Sequence, residues 1–280
     1  MSAVTGSLEQ ALDEMLELRP FPAAASQLMA ACNDESCTIR ELTEIIKYDP
    51  GLSMRLLKIA NSPLYGCSGQ IRSIDHATVV LGLRALRDLA ISTALGDVFD
   101  SGTQSTAAVR TDLWQHSLAC GCVARLLAEK VEDVVPDEAF LGGVIHDVGK
   151  LFILDYDTDN YVQLLSSSKK SGLTAAEVDH YGMPHTDVGR RCGQDWGLPD
   201  EIVDVIGCHH DPETADFGGR LVQIVFAANH LADLWFDEAD SEFSTAEILA
   251  RAQIEIDSHD LEQINRTSVE SIQAISEACC

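Results

Sequence analysis

The chain has 280 residues, of which 46% are hydrophobic and 23% charged; this composition excludes a disordered or collagen-like protein and favours one or two globular domains. Asp and Glu number 45 against 19 Lys and Arg, giving a formal net charge of -26, so we expect no direct binding to nucleic acid or to an anionic membrane. No uncharged apolar stretch of about 18 residues and no basic start before an apolar run occurs, so neither a transmembrane helix nor a secretory signal is expected.

The first hundred residues follow a helical period, with apolar side chains three and four positions apart and few alternating runs. Thr38 and Glu41 form a capping box, which predicts the start of a helix that ends near Asp49 and Pro50. Gly82 is a candidate break within a longer helical segment. The pattern predicts helices over residues 8–18, 23–31, 38–49, 52–59 and 74–95.

After a polar connection over residues 100–106 the helical period resumes. Asp137 is the predicted cap of a helix that ends at Gly149, since glycine is typical just past a helix C-terminus. The remaining helices are predicted over residues 109–129, 159–168, 174–180, 185–196, 200–209 and 220–235, with two more within 245–278. The predicted fold is an all-α helical bundle, with an N-terminal helical lobe (1–100), a larger lobe (107–240) and C-terminal helices (241–280).

The nine cysteines are irregularly spaced and include no Cys-x-x-Cys pair, so a zinc ribbon or a thioredoxin-type site is not expected. Several lie among apolar neighbours, where cysteine acts as a small hydrophobic residue. This usage indicates a reducing, cytoplasmic environment. A redox sensor that uses Cys120, Cys122 or Cys208 stays open as a minor alternative.

The histidines are the most informative residues. A helix that ends at His146 and Asp147 presents an imidazole and a carboxylate about 100° apart around its axis. Both could reach one ion, or the carboxylate could bridge two, and this donor pair suits Fe, Mn, Zn or Ni. The alternative is a histidine stabilised by the helix dipole. Further histidines in helical contexts are His116, His180, His185, His209 and His210.

Separated segments, in order along the chain, resemble the HDOD family. They are Asp49-Pro50-Gly51-Leu52, residues 55–62, Tyr65-Gly66, residues 71–77 and residues 81–83, followed by residues 142–150, Trp196-Gly197-Leu198-Pro199 and residues 202–210. The resemblance covers about residues 18–235. It implies the helical architecture of the HD superfamily, in which an N-terminal lobe packs on an HD-like lobe, and a bacterial protein of signalling or regulation.

The same resemblance implies a site for one or two divalent metal ions. The positions that match the metal ligands of HD and HD-GYP proteins are His116, His146, Asp147, His185, His209, His210 and Asn229. Asn229 stands where the family pattern has an aspartate, and Asp233, one turn further, is an alternative ligand. Asp147 and Lys150 are the expected catalytic residues, and Lys150 matches a lysine that contacts phosphate in HD-GYP enzymes. The Gly-Tyr-Pro element of those enzymes is absent after His210.

Two functions follow from this reading. The first is a regulatory protein that acts mainly through interactions with a protein partner and keeps most of an HD-type metal site. The alternative is an active metal-dependent phosphohydrolase, a phosphodiesterase or phosphatase acting on a nucleotide, a cyclic dinucleotide or another phosphate-containing small molecule. In either case a carboxylate should orient the histidines, and Asp112, one turn before His116, is the candidate. We expect His76, His180, His230 and His259 to lie outside the site.

Overall fold

The computed structural model describes residues 7–18, 21–32, 38–66, 69–100, 104–167, 172–236 and 243–279. The structure is 79% helical, and no strand occurs within these ranges, so the all-α prediction is confirmed. The helices are α1 (Leu8–Leu18), α2 (Ala23–Cys32), α3 (Ile39–Tyr48), α4 (Pro50–Ala60), α5 (Ile74–Leu81), α6 (Leu83–Asp100), α7 (Ala107–Ala128), α8 (Pro136–Ile145), α9 (Val148–Tyr156), α10 (Thr158–Ser167), α11 (Leu173–Tyr181), α12 (His185–Asp195), α13 (Asp200–Cys208), α14 (Gly219–Phe236), α15 (Thr245–Arg251) and α16 (Ser258–Cys279).

Local sequence signals set several of these boundaries. The Thr38 hydroxyl accepts a hydrogen bond from the Glu41 amide while the Glu41 carboxylate accepts one from the Thr38 amide, so the predicted capping box is present at the start of α3. Gly82 has φ +84°, which separates α5 from α6 as predicted. A left-handed backbone of this kind is readily adopted by glycine and rarely by other residues.

The predicted helix over 137–149 is wrong, because two helices occupy this part of the chain. Helix α8 begins with Pro136, with Asp137 in its first turn rather than at the cap, and it ends at Ile145. Helix α9 then begins at Val148, so Gly149 lies in its first turn instead of closing α8. A Cβ atom at Gly149 would lie 2.0 Å from the His185 carbonyl oxygen, so this glycine permits a close backbone approach of α9 to α12.

The helices share one continuous hydrophobic core that runs from Leu8 to Ile275. Helix α6 packs against α2, α4 and α5 and also against α7 and α8, while α16 packs against α4 and α7. Helix α1, at the start of the predicted N-terminal lobe, packs on α9 and α12. The division of the chain at residue 100 therefore stays a prediction about sequence organisation.

The helices that frame the site approach one another at glycines. A Cβ atom at Gly143 of α8 would lie 2.6 Å from the Gly121 Cα of α7, so the two backbones are in direct contact. Helix α14 packs on both α7 and α8. This three-helix unit carries His116 and leads directly to His146. None of the helices in the described ranges is long and apolar enough to cross a membrane.

Candidate metal centre

The break between α8 and α9 places His146 and Asp147 in the interior. His146 follows the last residue of α8, and its Nδ1 lies 2.7 Å from the Gly143 carbonyl oxygen. Because a carbonyl can only accept, this contact places a proton on Nδ1, and in the neutral imidazole it leaves the lone pair on Nε2. That Nε2 is buried, has no hydrogen-bond partner among the described residues, and lies 3.3 Å from Asp147 Oδ2.

His209 is held by the same kind of contact. It follows the last residue of α13, and its Nδ1 lies 3.0 Å from the Ile206 carbonyl oxygen. Its Nε2 is buried, without a hydrogen-bond partner in the part of the chain described, and lies 3.5 Å from Asp147 Oδ1. Two helix ends therefore direct the Nε2 atoms of their histidines towards one carboxylate.

His185 is oriented by a buried carboxylate that the sequence analysis did not find. It is the first residue of α12, and its Nδ1 lies 2.7 Å from Glu177 Oε2, which also accepts from the His185 amide at 2.8 Å. The other oxygen of Glu177 accepts from the Tyr161 hydroxyl at 2.6 Å. The His185 Nε2 lies 3.4 Å from Asp147 Oδ1, so this imidazole faces the same carboxylate as His146 and His209.

Asp147 lies at the middle of the cluster and is 2% exposed. Its Oδ2 faces His146 and, at 3.9 Å, the Nε2 of His116, while its Oδ1 faces His185 and His209. The donor atoms form two compact groups, each with its members within 4.8 Å of one another. The groups are His116, His146 and Asp147, and His185, His209 and His210.

His116 projects from the middle of α7 towards α14. Its Nε2 lies 2.9 Å from the Asn229 amide oxygen, and its Nδ1 lies 3.4 Å from Asp233 Oδ1. Asn229 and Asp233 are both buried and lie four residues apart on α14, so they share a face. The carboxylate beside the His116 ring is thus that of Asp233, whereas the expected Asp112 is exposed and lines the neighbouring cavity.

His210 also turns into the cluster, with its Nε2 3.2 Å from the His185 Nε2. Adjacent residues of a regular helix could not point the same way, but α13 ends at Cys208, so both histidines occupy the turn that follows. The ring centroids of His209 and His210 are 4.2 Å apart. The other histidines lie elsewhere: His76, His180 and His259 are exposed, and His230 packs against Phe226 and Phe243.

Burial and charge set the protonation of these groups. Burial disfavours the ionised form of Asp147, but the neighbouring His146 and Lys150 outweigh it and hold the pKa of this carboxyl well below its usual range. Burial lowers the pKa of His209 to about 3. Burial lowers the pKa of His210 well below its usual value, and the proximity of the His209 and His185 rings acts in the same direction. At neutral pH the centre therefore presents an ionised Asp147 carboxylate beside neutral His209 and His210 imidazoles.

A cavity of about 480 Å³ opens beside the centre. Lys150 lies on its wall, and its Nζ is 2.6 Å from Asp147 Oδ2. The cavity is also lined by His116, Asp147, His210, Asn229, Asp112 and Asp233, and by the apolar residues Val109, Leu113, Val162, Leu165 and Leu173. The centre is thus reached from a space large enough for a small organic molecule.

The cysteines do not form a redox pair at this site. Cys120, Cys122 and Cys208 are buried, and none is in a disulfide. Burial raises the pKa of the Cys120 thiol well above its usual value and that of Cys122 to about 12. Protonated, enclosed thiols are poor nucleophiles, so these two act as core residues.

The donor set fits a divalent metal ion. The Nε2 atoms of His146 and His209 and the Oδ1 of Asp147 are buried without hydrogen-bond partners among the described residues. Such atoms are costly in a folded protein unless another group, such as a cation, satisfies them. Neutral imidazoles and a carboxylate are the ligands that Fe, Mn, Zn and Ni accept.

Comparisons with known proteins agree with this architecture. An uncharacterized protein of Treponema pallidum (strain Nichols) is 23% identical over 270 residues, which are 95% of this chain and 51% of that protein. The chain thus spans about half the length of this relative.

Two solved structures share the fold. An HDOD domain protein from Geobacter sulfurreducens has a TM-score of 0.76 at 24% identity, over 96% of this chain and 97% of that one. A candidate phosphohydrolase from Shewanella amazonensis SB2B has a TM-score of 0.77 at 24% identity, over 100% of both chains. The HDOD domain model matches residues 18–212, which is well over half of the sequence. The chain therefore belongs to the HDOD domain family.

Proposed function

We propose that this protein is a metal-dependent phosphohydrolase whose centre would hold two divalent cations, with Asp147 as a ligand available to both. The proposal rests on the position of this carboxylate, whose two oxygens face two different groups of ligand atoms. Its Oδ2 faces His116 and His146, and its Oδ1 faces His185 and His209. A carboxylate with one oxygen towards each group is suited to bridging two ions, as in two-metal phosphoryl-transfer sites.

One cation would be held by His116, His146 and Asp147, and the other by Asp147, His185, His209 and His210. Bound divalent cations lower the pKa of a coordinated water and neutralise charge on phosphoryl oxygens. Within the chain, Glu177 and the carbonyl oxygens of Gly143 and Ile206 keep the imidazole lone pairs directed inward. The ammonium group of Lys150 places a positive charge on the cavity wall, next to Asp147.

The charges of the cavity support a substrate with a single phosphate ester group. Lys150 is the one basic residue among the described residues that line it, whereas Asp112, Asp147 and Asp233 are acidic. A polyphosphate would meet two carboxylates, Asp112 and Asp233, beyond the cluster. Apolar side chains such as Leu113 and Leu165 favour an uncharged or weakly charged leaving group on the same wall.

The test is metal analysis of the purified protein together with turnover of phosphomonoesters, phosphodiesters and cyclic dinucleotides. We expect bound metal and hydrolysis of a monophosphate ester in the wild type, and loss of both in Asp147→Asn and His209→Asn. His180→Asn, a change at an exposed histidine outside the centre, should leave both unchanged. Asn229→Asp should tighten metal binding, because it adds a charged oxygen ligand. Bound metal without turnover of any of these esters would contradict the enzymatic proposal.

A second candidate function is regulation through a protein partner that binds the N-terminal helices. The observation that favours it is the exposure of large apolar side chains there: Tyr48 is 85% exposed, Val79 83% and Met54 63%. Exposed apolar side chains mark an interaction site where they form a contiguous patch. If this is the function, Tyr48→Ser should abolish partner binding and Asp147→Asn should retain it, measured by pull-down from the native host followed by direct titration.

A further inference from the structure

A second cavity lies between α6 and the starts of α8, α13 and α14. Its volume is about 210 Å³, less than the roughly 300–1,000 Å³ of pockets that hold drug-sized ligands. The polar residues of its wall are Arg87, Asp88, Glu138 and Glu201, and the apolar ones are Ile91, Leu141, Leu198, Pro199, Ile202 and Leu221. Its volume and its mixed lining suit a small molecule that carries both a polar group and a short apolar part.

This cavity is separate from the candidate metal centre. Glu138, Glu201 and Leu221 precede His146, His209 and Asn229 by eight residues each, on α8, α13 and α14 and the turns that follow them. At 1.5 Å per residue, eight residues correspond to about 12 Å along each helix. The two cavities therefore lie at different levels of the same three helices, and they share no lining residue.

Asp88 is the polar residue of this cavity whose bonding is incomplete. It is 1% exposed, and its Oδ1 lies 2.5 Å from the Arg87 Nε. Its Oδ2 is buried and has no hydrogen-bond partner among the residues that the structure describes. Burial raises the pKa of this carboxyl to about 6, so it is largely ionised at pH 7.5. A buried charged oxygen without a donor costs free energy that a bound donor would recover.

The charge of the wall decides what kind of donor fits. Arg87 already contacts Asp88, and its Nη2 lies 3.8 Å from Glu138 Oε1. Glu138 and Glu201 lie in the first turns of α8 and α13, where acidic residues are common because the helix dipole attracts negative charge. Among the described residues that line the cavity, three are carboxylates and one is a guanidinium, so the wall has an excess of negative charge that a bound cation would offset.

We propose that this cavity binds a small organic cation, an ammonium group on a short apolar chain, with the ammonium donating to Asp88. The carboxylates of Glu138 and Glu201 attract the ammonium group at the opening of the cavity. The apolar side chains of Ile91 and Leu141 cover the hydrocarbon part. The proposal does not depend on the chemistry of the metal centre, because it uses none of its residues.

The experiment is calorimetric titration of the full chain at pH 7.5 with n-butylammonium, and with butan-1-ol as an uncharged probe of the same shape. We expect wild-type protein to bind the cation at least about tenfold more tightly than the alcohol, since charged hydrogen bonds contribute that much. Asp88→Asn should remove this preference, and Glu138→Gln should reduce it. Asp112→Asn, in the other cavity, is the matched control and should leave it unchanged.

Equal binding of the cation and the alcohol, or no binding of the cation to wild type, would overturn the proposal. So would a preference that survives Asp88→Asn and disappears in Asp112→Asn, because the cation would then occupy the cavity of the metal centre. The comparison of the two probes on wild-type protein needs no variant, and Glu138 is partly exposed. The proposal is therefore open to refutation even if Asp88→Asn does not fold.

Discussion

At the scale of the residue, the candidate metal centre depends on which nitrogen of each histidine faces inward. His146 and His209 are fixed by backbone carbonyls and His185 by Glu177. The histidines could be singled out from the sequence because their side chain is rare and its chemistry is specific. Glu177 could not, because it is one of 45 acidic residues and its role arises from contact with a residue on another helix.

Glu177 provides a prediction about metal affinity. Glu177→Gln should weaken metal binding by about 10- to 100-fold, because the neutral amide no longer supports the basicity and orientation of His185. Competition with a chelator of known affinity measures the change. Asp179→Asn, an exposed change on the same helix, is the control and should have no effect. If Glu177→Gln binds metal as tightly as wild type, Glu177 serves only to join α10, α11 and α12.

At the scale of the element, the site depends on the break between α8 and α9. Hydrophobic periodicity could not place this break, because almost every residue from Phe140 to Leu154 is buried. With no exposed face, neither helix has a polar side that would mark where it begins or ends. The sequence predicts a helix end at Gly149, because glycine is common just past a helix C-terminus. In the structure Gly149 instead contacts the backbone of α12. The sequence does not show this contact, because the two helices are far apart along the chain.

The contact at Gly149 yields a prediction about stability. Gly149→Ala should lower the free energy of unfolding by about 1–3 kcal/mol, because the added methyl group meets backbone atoms that cannot move without displacing α12. Urea denaturation measures the loss. Gly219→Ala, at the start of α14 with no atom within 4 Å of the added carbon, should be close to neutral. Equal stability of the two variants would show that α12 accommodates the methyl group.

At the scale of the whole molecule, the N-terminal helices and the site-bearing helices form a single body. Helix α1 buries Leu8, Leu12 and Leu16 and packs on α9 and α12, a packing that the sequence alone did not predict. The adjoining Phe21 ring lies 5.0 Å from that of Trp196. Hydrophobic periodicity predicts which face of a helix is buried, whereas the helices that pack on that face depend on the packing of the whole core.

Asp88, which is buried at the contact between α6 and α8, makes the folding stability of the protein depend on pH. Burial raises its folded pKa to about 6, above its unfolded value near 3.8, even though Arg87 opposes the shift; Glu138 and Asp137 add to it. The folded state binds the proton of Asp88 more tightly than the unfolded state does. This contribution to folding stability is therefore complete below pH 3.8 and is lost as pH rises through 6. The shift of about two units corresponds to about 3 kcal/mol.

Asp88→Asn cannot titrate, so its stability relative to wild type should improve by up to about 3 kcal/mol between pH 4 and pH 7. Urea unfolding of both proteins across this range measures the difference. A difference that stays constant with pH would show that the Asp88 carboxyl has the same proton affinity in the folded and unfolded chains.

The contact of Gly121 with Gly143 has a consequence for how this protein can change during evolution. Because the backbones of α7 and α8 touch there, the distance between these helices does not depend on the size of any side chain between them. Substitutions elsewhere in the core can accumulate while the positions from which His116 and His146 project are kept. A solved structure that is 24% identical to this chain has a TM-score of 0.77 with it, so this fold is compatible with substitution at most positions.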